Sequence, residues 1–406
     1  MRTVDPIEIL SDRVRRYPPD RYPIQHATAQ FHLGQALAEA DRFSEAAAAL
    51  RASAAGFARA GLTVEGAKAT TQLGAVLRLA GDPEPAIALL SAAAEAFAAD
   101  GEAVDEGAAR FNLGMALREA GGCGAHEAFA RARECWERAG HLEPASAAAR
   151  EAGTQSWAAG VPDRAIAELT DAAELAAMAG AAAAEGAAAN VLGLVLLEAG
   201  RHVDARASLG EAVAAHPRGV RPADHAMAQA NLALAQEQAG DALRARVAAR
   251  QALSVGEAPA PVREQARDVL GRLGDPSGDL PRLLAGEPFE RWPALVRSEQ
   301  ARLAEGENAH RHAEAQAWLA HQLAHPEQGE ELAATWLGGL LELPPESLEA
   351  LVADLLRALE ALAPGDADRV RREFERGMAR FHPPQMLRLR DSFARLAAER
   401  GLREWS

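Results

Sequence analysis

Cysteine, lysine, aromatic residues and long apolar runs are all scarce in this chain of 406 residues. The two cysteines, Cys123 and Cys135, are too few for a disulfide framework. Aromatic residues make up only 4% of the sequence, which is little for a sheet with a bulky core. Alanine runs such as Ala46 to Ala49 instead favour helices that pack closely on one another. We therefore expect an all-α fold.

Positive charge is also in short supply, since 43 Lys and Arg face 58 Asp and Glu and the formal net charge is −15. Nucleic-acid affinity comes from clustered Lys and Arg, so no nucleic-acid partner is predicted. No stretch approaches 18 uncharged apolar residues, and the charged N-terminus lacks the apolar segment of a signal peptide. We expect no membrane contact and a cytoplasmic location. Lys68 is the sole lysine, and this use of arginine is typical of a GC-rich bacterial genome.

A short motif recurs about every 40 residues along the first two-thirds of the chain. It begins with Leu33-Gly34, Leu73-Gly74, Leu113-Gly114, Ala152-Gly153, Leu192-Gly193 and Leu232-Ala233. About twelve residues later it continues with Ala46, Ala86, Ala125, Ala165, Ala205 and Ala245. Four residues further on stand Leu50, Leu90, Phe129, Leu169, Leu209 and Ala249. A fixed period of this length indicates tandem helix pairs, and we predict six of them over residues 22–255.

The glycine of the motif predicts a close contact between the two helices of each pair. Glycine inside a helix costs roughly 1 kcal/mol relative to alanine, so its recurrence requires a packing reason. We expect the second helix to cross close to the glycine, with the recurring alanine as its small partner and the following Leu on the next turn. Segments such as Gly81-Asp82-Pro83 and Gly240-Asp241 are predicted to be the turns between helices.

The remaining segments are assigned from their composition and from the positions of proline and glycine. Residues 1–21 are predicted to form an N-terminal helix or cap. Residues 256–285 are rich in Pro, Gly and Asp and are predicted to be a capping helix and linker, with a helix near 260–273. Residues 286–406 contain amphipathic stretches between prolines, which predict C-terminal helical hairpins that are either diverged repeats or a cap.

The Leu-Gly pair, the Gly-Asp turn and the later Ala with an apolar residue resemble the tetratricopeptide (TPR) signature. The 40-residue period resembles that of kinesin light chains and of many bacterial signalling proteins. This resemblance implies a right-handed superhelical solenoid of antiparallel helix pairs. It also implies a concave groove, lined by the first helix of each pair, that binds another protein or an extended peptide.

The resemblance also implies which side chains face the groove, namely those at fixed positions around each Leu-Gly pair. These residues are Phe31, Gln35, Thr71, Arg78, Phe111, Asn112, Met115, Arg118, Arg150, Trp157, Asn190 and Asn231. Asn112 and Asn231 resemble the asparagines that hold peptide backbones in such arrays, and an amide offers both a donor and an acceptor. The arginines are suited to pairing with a carboxylate. The alternative is that these side chains only solvate a water-filled trough.

No catalytic motif is found, so no catalytic residue and no cofactor are predicted. No metal site is predicted either. His321 and His325 come nearest to one, because their i,i+4 spacing places two imidazoles on one helix face, but no third ligand is fixed by spacing. The leading hypothesis is a binding scaffold. One alternative is a helical-repeat enzyme or accessory protein with a pocket between the repeats and the C-terminal helices, and the other is a peptide-gated regulator.

Overall fold

The computed structural model describes residues 6–402, apart from the side chain of Glu305. Residues 1–5 of the predicted N-terminal segment and residues 403–406 of the predicted C-terminal region lie outside this range. Over the described residues the chain consists of α-helices and one 3₁₀ turn, with no strand. The predicted all-α architecture of successive TPR-like helix pairs is confirmed. None of the described helices is long and apolar enough to cross a membrane.

The chain divides into two compact units, and the first comprises residues 1–200. Its helices are α1 (Pro6–Arg16), α2 (Pro23–Glu39), α3 (Phe43–Arg59), α4 (Thr63–Leu79), α5 (Pro83–Asp100), α6 (Ala103–Glu119), α7 (Ala125–Arg138), α8 (Leu142–Ala158), α9 (Pro162–Met178) and α10 (Ala182–Glu198). Each helix from α2 to α9 packs against the next one in the chain. We call α2, α4, α6, α8 and α10 the first helices, because each opens a predicted repeat.

The second unit comprises residues 201–406. Its helices are α11 (His202–Ala215), α12 (Pro222–Gln238), α13 (Ala242–Leu253), α14 (Ala260–Leu273), α15 (Asp279–Leu284), α16 (Trp292–Glu305), α17 (Asn308–Ala324), α18 (Gly329–Leu340), α19 (Pro345–Glu360), α20 (Pro364–Met378) and α21 (Pro383–Glu399). The helix predicted near 260–273 is confirmed as α14. From α15 onward the main contacts join next-but-one helices, such as α16 with α18 and α17 with α19.

The close contact predicted at the Leu-Gly glycine is present in each complete pair of the first unit. A methyl group added to Gly74 would lie 2.5 Å from Cγ of Leu90, and one added to Gly34 would lie 2.6 Å from Cγ of Leu50. A methyl group added to Gly114 would overlap the ring of Phe129 in the same way, and one added to Gly153 would overlap the side chain of Leu169. The side chain that fills the space is therefore the Leu or Phe of the motif. The recurring alanine, expected to be the small partner, also comes near, since the carbonyl oxygen of Ala46 would lie 3.3 Å from a methyl group on Gly34 and that of Ala165 would lie 3.2 Å from one on Gly153.

Most helices of the repeat region are followed by a residue with a left-handed backbone conformation, and these residues recur at intervals of about 20. Glycines with positive φ stand at 61, 81, 101, 121, 140, 160, 180, 200 and 240. Glycine adopts this conformation without the steric penalty of a Cβ atom, so it terminates a helix and reverses the chain. Asp41 takes the corresponding place between α2 and α3 with φ of 57°, and it is the one described non-glycine residue with positive φ.

Replacing Asp41 by Gly should therefore stabilise the protein. The left-handed conformation disfavours a residue with a Cβ atom by roughly 1–2 kcal/mol, and aspartate offsets part of this by local hydrogen bonding. We expect a gain of about 0.5–1 kcal/mol in the free energy of unfolding, measured by denaturant titration. The matched control is Asp82→Gly, because Asp82 has φ of −112° and gains nothing from glycine. Equal effects of the two substitutions would contradict the explanation.

Candidate binding face on the first helices

The first helices of the first unit lie side by side. Helix α2 packs against α4, α4 against α6, and α8 against α10. Between α6 and α8 the described contact is made by side chains, Arg118 with Glu151.

Three of the predicted groove arginines form one strip of ion pairs across α4, α6 and α8. Arg78 donates from Nη1 to Oε1 of Glu119 over 2.6 Å. Arg118 contacts the carboxylate of Glu151, and Arg150 Nη2 lies 3.4 Å from the other oxygen of the same carboxylate. We call these five residues the charged strip. It carries three guanidinium groups for two carboxylates.

The two carboxylates of the charged strip were not among the predicted groove residues. Glu151 precedes Ala152 as Asn112 precedes Leu113, so the repeat alignment already placed it at a groove position. Glu119 lies at the C-terminal end of α6 and has no such signal. Because the arginines already have partners, a ligand carboxylate must share them with Glu119 and Glu151 or displace these residues.

Other predicted residues lie next to the charged strip on the same helices. The Asn112 side chain donates from Nδ2 to the carbonyl oxygen of Ala108 over 2.9 Å, which uses one of its hydrogen-bonding positions. The sulfur of Met115 lies 3.2 Å from Nη2 of Arg118. Trp157 is half-buried near the C-terminal end of α8. Asn112, Met115, Arg118 and Trp157 are each partly exposed.

Three predicted residues are instead buried. Thr71 is 7% exposed and donates its hydroxyl group to the carbonyl of Ala67. Asn190 is 5% exposed. Asn231, in the second unit, is 7% exposed and accepts a hydrogen bond from Gln265 of α14 over 3.0 Å. Burial leaves these side chains little surface for a ligand in this conformation.

Phe31, Gln35 and Phe111 complete the predicted set. Phe111 is half-buried, and its ring lies 5.4 Å from that of Phe129 and 5.7 Å from that of Trp136. Phe31 packs against the cores of the first two helix pairs. Gln35 is half-buried on α2, where its carbonyl group lies 3.3 Å from Nδ1 of His32. The two phenylalanines therefore support the helix packing as well as bordering the face.

The histidines of α17 do not assemble into a metal centre in the described residues. The rings of His321 and His325 lie 4.3 Å apart, and His325 faces Glu327 at 3.5 Å. No group of three or more potential ligands with metal-binding geometry occurs in the part of the chain that the structure describes. Burial, together with the neighbouring His325, lowers the pKa of His321, which favours its neutral form at neutral pH.

The sequence did not predict the buried ion pairs of the second unit. Arg250 on α13 is 1% exposed, and its Nε donates to Asp275 over 2.6 Å. Its Nη2 lies 3.1 Å from Asp279, which is fully buried and is also held by Arg246 through two hydrogen bonds of 2.6 and 2.8 Å. Nearby carboxylates raise the pKa of Arg250 although burial opposes this, so its charge is retained.

Comparisons with known proteins give similarity to solved structures only. No family model matches the chain, and no curated protein matches it. The crystal structure of BtubC (BKLC) from P. vanneervenii is 16% identical, with a TM-score of 0.43, and the match covers 62% of this chain and 94% of that one. The crystal structure of the P58(IPK) TPR domain is 13% identical, with a TM-score of 0.26, and the match covers 87% of this chain and 97% of that one. The helical-repeat description therefore rests on this chain's own 40-residue period and helix packing.

Proposed function

We propose that the chain is a protein- or peptide-binding scaffold, and that α4, α6 and α8 bind an extended, acidic segment of the partner. The observation that carries the proposal is the charged strip, where three guanidinium groups from successive first helices share two carboxylates. A carboxylate of the partner fits this excess of positive charge, and guanidinium groups bind carboxylates with paired hydrogen bonds.

Exchanging an ion pair of the charged strip for one with a ligand costs little folding free energy. The side chains of Arg118 and Arg150 are 34% and 30% exposed, and ion pairs at such exposure contribute only about 0–1 kcal/mol to stability. A partner carboxylate can therefore replace Glu151 without a large loss of folding free energy. The amide of Asn112 and the half-buried ring of Trp157 supply neutral contacts for the backbone and apolar side chains of the same segment.

Removal of the guanidinium groups should weaken the binding of acidic peptides without unfolding the protein. The probe is a set of peptides selected from a random peptide library on the full chain, with affinity measured at low and high salt. We expect Arg118→Ala combined with Arg150→Ala to lower affinity by about tenfold or more, because a hydrogen bond to a charged group is worth roughly 1.5–3 kcal/mol. The salt dependence should fall as well. Asn112→Ala should weaken binding equally at both salt concentrations.

Two further variants separate binding from architecture. Arg131→Ala removes an exposed arginine with an i,i+4 glutamate partner on the second helix α7, and it should leave affinity unchanged. Glu151→Gln removes the carboxylate that competes with the ligand, so it should strengthen the binding of acidic peptides. Selection of peptides without acidic residues, or unchanged affinity in the Arg118 and Arg150 double variant, would show that the partner binds elsewhere.

A further inference from the structure

A small cavity lies inside the second unit, among α15, α16, α17, α18 and α19. Its walls are mostly apolar, with Leu280, Leu303, Trp318, Trp336 and Leu351 among the lining residues. Its volume is about 20 Å³, which is room for about one molecule the size of water. The polar lining consists of Glu299, Glu314, Gln300 and Arg311, and the guanidinium group of Arg311 is paired with Asp354 at 2.8 Å.

Each glutamate has one oxygen held by the protein and one without a hydrogen-bond partner. Oε1 of Glu299 accepts from Nε of Arg302 over 3.0 Å, and Oε2 of Glu314 accepts from the backbone N–H of Gly278 over 2.9 Å. The other oxygens, Oε2 of Glu299 and Oε1 of Glu314, are buried and unpartnered, as are Oε1 of Gln300 and the indole Nε1 of Trp318. Buried polar atoms are normally hydrogen-bonded, so these four indicate a missing partner.

Glu314 also differs in charge environment from the other buried carboxylates. The described residues include six such carboxylates, and five of them contact a guanidinium group. The five pairs are Glu106 with Arg110, Asp279 with Arg246, Glu299 with Arg302, Asp354 with Arg311, and Glu373 with Arg369. The nearest cationic candidate for Glu314 is His310, whose Nε2 lies 3.8 Å away. Burial and the neighbouring Arg302 lower the pKa of His310, so it is a poor source of positive charge.

We propose that this cavity binds a protonated amine of the size of ammonium or methylammonium, which donates hydrogen bonds to Oε2 of Glu299 and Oε1 of Glu314. An ammonium group supplies both the hydrogen-bond donors and a positive charge in direct contact with Glu314, whereas a water molecule supplies donors but no charge. The indole rings of the cavity wall also attract cations.

Protons compete with the amine for Glu314. Burial raises the pKa of this carboxyl group, and Glu299 on α16 acts in the same direction. The N–H of Gly278, Arg250 on α13 and Arg302 on α16 oppose the shift. The group is neutral below its raised pKa and charged above it, and the charged form costs stability unless a cation neutralises it. Amine binding should therefore strengthen as the pH rises through this pKa.

Thermal unfolding of the full chain, followed by tryptophan fluorescence, tests the proposal. The probes are the chlorides of ammonium, methylammonium and ethanolamine, compared with sodium and tetramethylammonium chloride at equal ionic strength. We expect ammonium and methylammonium to raise Tm by about 2–3 °C at ten times Kd, with a larger rise at about pH 8 than at about pH 5, whereas ethanolamine is too large for the cavity and should not. Sodium and tetramethylammonium, which have no N–H groups, should not reproduce the effect.

Neutral isosteres of the two glutamates identify the site. Glu314→Gln and Glu299→Gln should each abolish the amine-specific rise, and Glu314→Gln should not reduce Tm in sodium at about pH 8, because it resembles the protonated form. The control Glu330→Gln changes an exposed carboxylate at the start of α18 and should keep the rise. Equal melting in all five salts would mean that the cavity holds an ordered water only. An amine response that survives Glu314→Gln would also overturn the proposal.

Discussion

Gly74→Ala should destabilise the protein by about 1–3 kcal/mol, whereas Gly66→Ala in the same helix should stabilise it. The added methyl group at Gly74 would lie 2.5 Å from Cγ and 2.8 Å from Cδ2 of Leu90, so the α4 and α5 helices must separate or Leu90 must leave its position. The methyl group at Gly66 would meet its nearest neighbour, Cβ of Phe57, at 3.8 Å, which is an ordinary contact. Gly66→Ala should therefore raise the free energy of unfolding by roughly 0.5–1 kcal/mol, because alanine has the higher helix propensity.

Denaturant unfolding of the two variants and the parent protein measures this difference. Because both substitutions are chemically identical and lie in α4, their effects on the unfolded chain largely cancel in the comparison. Gly74→Leu should be worse than Gly74→Ala, since the larger side chain cannot be placed between α4 and α5. If both alanine variants were stabilised to the same extent, the close helix contact that explains the Leu-Gly motif would be wrong.

The sequence predicted this contact but not the atoms that form it. A recurring glycine shows that space is needed, and the 40-residue period shows which helix crosses there. Which side chain fills the space depends on the rotation of the second helix about its axis. The structure places Leu90 on Gly74, while Ala86 lies in the core beside it. Alanine at that position keeps the helices close, and leucine provides the buried surface.

The candidate face was predicted less completely than the fold. The TPR resemblance implied groove positions at Arg78, Arg118 and Arg150, and the structure brings these three residues together in the charged strip. Their partner Glu119 could not be found in this way, since contacts between neighbouring first helices depend on the crossing geometry. Asn231 is buried in contact with α14, which lies outside the repeat pattern.

The cavity of the second unit could not be predicted at all. Its walls come from α15 to α19, where the 40-residue repeat signature fades and the main contacts join next-but-one helices. Glu299 and Glu314 are 15 residues apart and belong to different helices, so no motif spacing connects them. Carboxylates on amphipathic helices are usually solvated, and only the packing shows that these two are buried.

Arg250→Ala should be far more harmful than Arg272→Ala, although each variant removes one arginine from an ion pair. Arg250 is 1% exposed and contacts Asp275, Asp279 and the carbonyl oxygen of Pro276. Its removal leaves a cavity and takes one of two guanidinium partners from Asp279, which is fully buried. Breaking a buried ion pair from one side typically costs about 3–5 kcal/mol.

The side chain of Arg272 provides the matched comparison. It is 53% exposed and makes two hydrogen bonds, of 2.7 and 2.6 Å, to Glu237. An ion pair in contact with solvent typically contributes about 0–1 kcal/mol, because water replaces the lost partner. Denaturant unfolding should therefore separate the two variants by about 2–4 kcal/mol. Arg250→Met should recover part of the loss by refilling the space, but not all of it, since the charge of Asp279 remains less compensated. Equal stability of Arg250→Ala and Arg272→Ala would mean that water enters around Asp279 and that the ion pairs of α13 and α15 are not a dry, buried network.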